Sequence, residues 1–224
     1  MRIIISLLFT IGVGFGQATG IFSVQGESLF GIEGQYESED VDGGSITSTI
    51  LGGSYVLDGD LEFFGSYYTA EVKNDNDSSL DYDMTGFGYG GFYHMKADES
   101  FPVNVKIGGA FSTIDALGDW LDNAGAKLTG ESSAFGGGVY KNVYDKNGTS
   151  IMGFINIFSV KTEVTLDVAE NANYYAYRET TKDEISSLNF GVAVRNGDLF
   201  IAPSISRNDD DSSFNVTLGF LLPQ

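Results

Sequence analysis

From Ser28 onward, apolar and polar residues alternate with a period of two in short stretches separated by clusters of Asp, Asn, Gly and Ser. No stretch holds a 3.6-residue apolar period, so the chain reads as all-β. The alternation is cleanest in four segments. Val103, Val105, Ile107, Gly109 and Phe111 form one face against Asn104, Lys106, Gly108, Ala110 and Ser112. Leu188, Phe190, Val192 and Val194 stand against Ser187, Asn189, Gly191, Ala193 and Arg195. Leu199, Ile201, Pro203 and Ile205 oppose Phe200, Ala202, Ser204 and Ser206, and Phe214, Val216, Leu218, Phe220 and Leu222 oppose Asn215, Thr217, Gly219 and Leu221. Further strands are expected over 28–37, 45–57, 61–73, 80–95, 131–144 and 150–165, ten in all. Pro203 has no N–H to give a ladder and predicts a strand end, a bulge or an edge. In 80–95, Met84, Gly86, Gly88, Gly90, Phe92 and His94 share the phase opposite Phe87, Tyr89, Gly91 and Tyr93; a glycine-lined face suits a barrel interior, where missing side chains make room for large ones from opposite strands. Both phases of 150–165 are apolar, and alternation assigns neither to the inside.

The connections differ by parity. Those expected at Glu37–Gly44, Lys73–Ser79, Ser112–Gly130, Leu166–Asp183 and Arg207–Ser213 are mostly acidic, and two are long. Those at Asp58–Asp60, Lys96–Pro102, Asp145–Thr149 and Arg195–Asp198 are short and carry the hairpin dipeptides Asp58-Gly59, Asn147-Gly148 and Asn196-Gly197. Long loops at one end and tight turns at the other are the arrangement of a bacterial outer-membrane barrel.

The first residues change the compartment. Arg2 precedes the apolar run Ile3–Phe15, and Gly16-Gln17-Ala18 supplies small residues where a signal peptidase cuts, so residues 1–18 are expected to be a cleaved signal peptide. The run is shorter than the ~20 residues a spanning helix needs, and no later segment supplies them. An exported chain of this kind enters a membrane only as a closed β-barrel, which satisfies every backbone polar group in lipid. Residues 19–27 are then a periplasmic N-terminal lead-in and 28–224 the barrel, an antiparallel up-and-down transmembrane β-barrel of ten strands, with eight and twelve as neighbouring counts. Ten strands of ~11 residues use ~110 of the 224 − 18 = 206 mature residues, whereas sixteen would not fit. The absence of cysteine excludes disulfide scaffolds and thiolate sites. With 12 Lys and Arg against 31 Asp and Glu the net charge is −19, or 11 − 31 = −20 after loss of Arg2, which opposes binding to nucleic acid.

On these segments the chain resembles the small outer-membrane β-barrel proteins of Gram-negative bacteria, the opacity, adhesin and porin-like group. The resemblance is one of architecture and spans the mature chain. Its most local element is Phe214-Asn215-Val216-Thr217-Leu218-Gly219-Phe220, which looks like the terminal signal read by the barrel-assembly machinery, with Phe214, Val216, Leu218 and Phe220 as the recognised row; the chain continues past the aromatic through Leu221–Gln224. The resemblance implies outer-membrane lipid and lipopolysaccharide as surroundings, and a role in envelope structure, surface adhesion or restricted passage of small solutes.

Candidate chemistry is sparse. His94, the only histidine, falls on the lumen phase near the periplasmic end, away from where barrel hydrolases are expected to place catalytic groups, and reads as a non-catalytic lumen residue. The acids Glu37, Glu39, Asp40, Asp42, Asp75, Asp77, Asp81, Asp83, Asp209, Asp210 and Asp211 fall in or beside outward loops; they match no calcium-loop pattern and read as solvated surface. Tyr36, Tyr67, Tyr89 and Tyr93 suit interfacial girdles, while Trp120, Tyr174, Tyr175 and Tyr177 lie in loops, as packing or as a contact site. Gly136-Gly137-Gly138 and Gly86–Gly91 precede no helix and are barrel packing rather than phosphate loops. The sequence assigns no catalytic residue, cofactor or metal. The alternative to a non-enzymatic membrane barrel is a soluble exported all-β binding module, a sandwich or lectin-like domain, whose apolar faces would meet in a shared core. An outer-membrane hydrolase is a third reading.

Overall fold

A computed structural model describes residues 17–41, 44–75, 77–170, 175–207 and 212–223. Residues 1–16, Asp42, Tyr174 and Asp209–Asp211, singled out above, lie outside the described residues. Ten antiparallel strands close into one barrel: β1 (Leu29–Val41), β2 (Gly44–Leu57), β3 (Leu61–Asn74), β4 (Tyr82–Met95), β5 (Asn104–Leu117), β6 (Ala126–Lys146), β7 (Thr149–Val168), β8 (Tyr177–Asn196), β9 (Leu199–Arg207) and β10 (Ser212–Pro223). Each pairs with its sequence neighbours, and β1 closes on β10 from Leu29 opposite Pro223 to Ser38 opposite Phe214. Two short α-helices, α1 (Gln17–Ile21) and α2 (Asp119–Ala124), and a single 3-10 turn at Ser78–Leu80 complete the described residues. Closure supplies hydrogen-bonding partners across the sheet and leaves no long open edge in the barrel wall.

The end that carries both strand termini also carries the tight turns. Asp58 and Gly59 take φ of 52° and 74°, and Asn147 and Gly148 take 55° and 76°. Positive φ at both central positions gives the turn whose twist matches a right-handed hairpin. At Asn196-Gly197 only the glycine is left-handed, at φ 60°. Pro203 lies within β9, paired to Val216 on the β10 side. On its β8 side the ladder skips from Gly191–Ser204 to Val194–Ile201 without a change of register, so the missing N–H falls in an interruption of the ladder.

The far-end connections are shorter than the sequence suggested, because the strands run on. The expected loop 112–130 contracts to the segment holding α2, and 166–183 to the segment between Val168 and Tyr177. Polar residues on both phases hid these extensions, yet their cross-strand pairs fit a hairpin well: Thr165 meets Thr180 at 3.0 Å, Lys182 meets Glu163 at 2.6 Å and Lys161 meets Glu184 at 3.6 Å, each pair directly opposite in register. β9 ends at Arg207 opposite Leu188, so β6, β7 and β8, at 21, 20 and 20 residues, rise past it.

Alternation sorts the side chains as the sequence pattern requires. Large apolar residues face outward and are exposed on every strand, among them Ile32, Leu51, Phe63, Phe87, Ile107, Phe135, Ile157, Phe190, Ile201 and Leu218. Tyr36, Tyr67, Tyr89 and Tyr93 share that outer surface. The phase of β7 resolves with Met152, Phe154, Phe158, Val160 and Val164 inside and Ile155 and Ile157 outside. The glycines of β4 face inward as expected, but the large side chains that fill their space come from the adjacent strand: a Cβ at Gly86 would overlap the Tyr68 ring. Similarly, Gly219 on β10 lies under the Phe200 ring of β9.

The interior is filled. Ile46, Ile50, Tyr68, Met84, Ile114, Leu128, Val160 and Val164 pack toward the far end, where α2 buries Leu121. Trp120 meets Tyr82 edge-on at 6.2 Å, so this loop aromatic is packing. Midway, Phe92 contacts Phe64 at 5.6 Å and Phe158 at 5.9 Å between ring centroids, a chain of three rings across the lumen.

Candidate functional site

The polar residues of the terminal-end lumen gather buried acids, lysines and the histidine, apart from the neutral amide and hydroxyl network of Gln35, Asn156, Asn189, Ser206 and Asn215 elsewhere on the inner face. Period-two alternation puts Glu33 of β1, Glu62 of β3, His94 of β4, Lys106 of β5 and Tyr140 of β6 on the inner face at similar height, all buried. Burying charge is costly unless it is paired and hydrogen-bonded, and here partners are supplied. His94 Nε2 lies 2.9 Å from Glu62 Oε2, and its Nδ1 lies 3.0 Å from the Tyr140 hydroxyl. Lys96, in the turn after β4, donates from Nζ to the Tyr140 hydroxyl at 3.3 Å and to the Ser23 carbonyl and Oγ at 2.8 and 2.7 Å. One consistent proton arrangement has Lys96 donating to Tyr140, Tyr140 to His94 Nδ1, and His94 Nε2–H to Glu62. Burial pushes the Lys96 ammonium down to about 8 against the opposing pull of Asp60 and Glu62.

The remaining partners come from the chain just before β1. Residues 19–23, expected as a lead-in, are packed into the barrel mouth. Thr19 N–H donates to Glu33 Oε1 at 3.0 Å, the Thr19 hydroxyl bonds the same oxygen, and Gly20 N–H donates to Glu62 Oε1 at 3.1 Å. Ile21 and Phe22 join Leu29, Val56, Met152, Phe154, Phe200 and Leu221 in an apolar cluster. Burying two such side chains stabilises the seated segment by ~1.5–3 kcal/mol each. Lys106 Nζ stands 4.7 Å over the Phe92 ring and has no hydrogen-bond partner among the described residues.

His94 therefore sits on the lumen phase at the terminal end, the position expected from the sequence. The Glu62–His94 pair has the composition of an acid–base dyad, but both side chains are fully buried, with Gly20 packed against them. Sequence reasoning missed Glu33, Glu62, Lys96, Lys106 and Tyr140; the available signal was acids and a lysine on the inward phase of strands otherwise small or apolar there. Of the loop acids, Asp77 accepts from Ser79 N–H and Oγ–H at 2.9 and 2.7 Å, which holds its carboxyl below the ordinary range, and Asp81 accepts from Asn74 N–H at 2.8 Å. These acids terminate turns, and among the described residues no group of His, Asp and Glu is arranged for a metal. Tyr175 is 90% exposed, while the half-exposed Tyr177 bonds Glu179 at 2.6 Å.

No family model matches the sequence, and no curated protein matches it. Among solved structures, the chain is similar to the β domain of the Bordetella autotransporter BrkA (TM-score 0.49, 10% identity, covering 88% of this chain and 99% of that one). It is also similar to the transport unit of the autotransporter AIDA-I from Escherichia coli (0.46, 10%, 98% and 96%) and the translocator domain of NalP from Neisseria meningitidis (0.45, 9%, 98% and 95%). By its own architecture it is a closed up-and-down β-barrel with an apolar outer surface and an occupied lumen.

Proposed function

We propose that the protein is a non-enzymatic integral barrel of the bacterial outer membrane that anchors a raised, charged β-sheet at the cell surface. The carrying observation is the exposed apolar surface around the whole barrel. On β7 the outward row is apolar from Ile151 to Ile157 and then polar at Ser159 up to the first charge at Lys161; the ten rises of ~3.3 Å from Ile151 to that charge, at a ~40° tilt, make ~25 Å, the height of an outer-membrane apolar band. A soluble sandwich would bury such faces against each other, and here they point away from the interior. The orientation follows from the short turns and strand termini, which belong on the periplasmic side; on this reading α2 and the ends of β6–β8 that rise past β9 face the cell exterior. Membrane lipid and lipopolysaccharide are then the surroundings, and the outward row Phe214, Val216, Leu218 and Phe220 on β10 is the part offered to the assembly machinery.

The three-ring chain and the seated residues 19–23 favour envelope structure and surface display, including adhesion, over passage of solutes. The test is fractionation of cells expressing the protein, followed by gel mobility in SDS with and without boiling. Outer-membrane recovery with a heat-dependent shift is expected. Recovery as a soluble protein without a shift overturns the reading and restores the exported binding module.

A further inference from the structure

The terminal-end cluster contains an electrostatic imbalance that the fold does not explain by itself. Glu33 is buried, and both of its hydrogen bonds come from Thr19, a peptide N–H and a hydroxyl. Among the described residues no lysine, arginine or histidine lies within ion-pair distance of it. Glu62 has His94 at 2.9 Å, and the buried Lys106 ammonium is coupled electrostatically to both acids without standing within ion-pair distance of either, so at contact distance Glu33 is met only by neutral donors. A buried carboxylate in that setting calls for a cation.

The sequence supplies one independently. The cut expected after Ala18 falls at the peptide bond whose nitrogen stands 3.0 Å from Glu33. Hydrolysis by a signal peptidase breaks the Ala18–Thr19 C–N bond, with water's oxygen going to the Ala18 carbonyl carbon. Ala18 leaves as a carboxylate, and both hydrogens of the water end on the Thr19 nitrogen, converting N–H to –NH3+. We propose that the barrel mouth is a binding site for a primary ammonium, and that its ligand is the α-amino group of Thr19 in the processed chain, held by Glu33. This rests on cleavage after Ala18.

The surroundings are shaped for that ligand. Gly31, beside Glu33 on β1, leaves space that Thr19 fills, since a Cβ there would overlap the Thr19 side chain. Gly20 is pressed against Glu62 and His94 in the same way. Beyond them Ile21 and Phe22 are buried, Phe22 meeting Phe200 at 5.7 Å between ring centroids, and Ser23 is held by Lys96. The segment is thus positioned along its length, and the new charge arrives where the unpaired carboxylate waits. Charge-assisted hydrogen bonds are roughly twice as strong as neutral ones, so processing tightens the seat of the segment and closes the mouth more firmly than in the precursor.

The test uses mature protein purified from outer membranes. Intact mass first establishes the terminus. The native barrel and the boiled chain are then acylated briefly with an N-hydroxysuccinimide acetate at neutral pH, and labelling of the α-amine is read by peptide mass spectrometry. An amine held as an ammonium against Glu33 should react about tenfold or more slowly in the native barrel than in the boiled chain. Glu33→Gln should keep the Thr19 terminus and lose most of that protection; Glu33→Asp, which keeps the charge, serves if the first variant fails to assemble, and should show an intermediate rate. A terminus other than Thr19 overturns the proposal together with the cleavage reading. A Thr19 terminus labelled equally fast in native and boiled protein overturns the proposal alone, as does full protection in Glu33→Gln.

Discussion

Ile155→Arg separates a lipid-facing barrel from any soluble reading. Ile155 points outward from β7, 48% exposed, between Val139 and Phe190 on the neighbouring strands. It stands four residues above Ile151 and six below Lys161, which puts it ~10 Å above the lower edge of a ~25 Å band. An arginine near the midplane of such a band costs ~2–4 kcal/mol, and the cost falls to ~0–1 kcal/mol near the interface. Ser133→Arg is the matched control, because Ser133 also faces outward and pairs with Lys161 at the upper boundary. Both proteins would be refolded into phospholipid vesicles and titrated with urea, following the single Trp120, whose contact with Tyr82 ties its emission to the closed far end. Ile155→Arg should lose ~2–4 kcal/mol and Ser133→Arg no more than ~1 kcal/mol. In water an exposed isoleucine tolerates arginine within ~0.5 kcal/mol, so equal stability of the two variants would refute the membrane placement.

Three further outcomes follow from the interior and the turns. Gly136→Ala puts a Cβ into the backbone of Ile157 and Phe158 and should destabilise by ~1–3 kcal/mol, whereas outward Gly153→Ala meets nothing within 4 Å and should be neutral; equal effects in urea titrations would contradict the assigned faces. Because folding lowers the Lys96 ammonium from 10.5 to about 8, the unfolded chain binds the extra proton between those values, and this group's contribution to stability rises with pH across that window. Wild-type minus Lys96→Met stability should therefore increase from pH 8 to pH 10, and a flat or falling difference would reject the burial of that ammonium. In planar bilayers the wild-type barrel should stay closed, because residues 19–23, the three-ring chain and the far-end cluster fill the lumen in series; large wild-type steps would contradict this.

The strands and most of their faces were legible because a half-buried strand writes its orientation into every second residue. Segments 187–195 and 214–222 needed nothing else, and Asp58-Gly59 and Asn147-Gly148 marked their turns through the positive φ that those residue types tolerate. Legibility failed where the two faces met similar surroundings. In β7 the inside and the outside are both apolar, so composition could not separate Phe154 from Ile155. Above the band both faces of β8 are polar, and Tyr177–Asp183 read as loop. The lumen cluster was hidden for another reason: Glu33, Glu62, His94, Lys106 and Tyr140 come from five strands and acquire a common meaning only when the barrel closes. Residues 19–23 carry no periodicity at all, and their place is set by contacts distant in sequence.

Those distant contacts bear on the order of assembly. Phe22 packs against Phe200, and Ile21 and Phe22 share their cluster with Ala193, Ala202 and Leu221. The segment ahead of β1 thus waits for the last strands, and nearly the whole barrel must emerge before either finds its neighbour. Contacts at such separations carry the full loop-closure entropy and reward folding only at its end. Ile21 and Phe22 should accordingly have φ-values near zero: their truncation should speed unfolding and leave the refolding rate almost unchanged, making the amino-terminal segment a latch that sets the lifetime of the finished barrel rather than the speed of its formation.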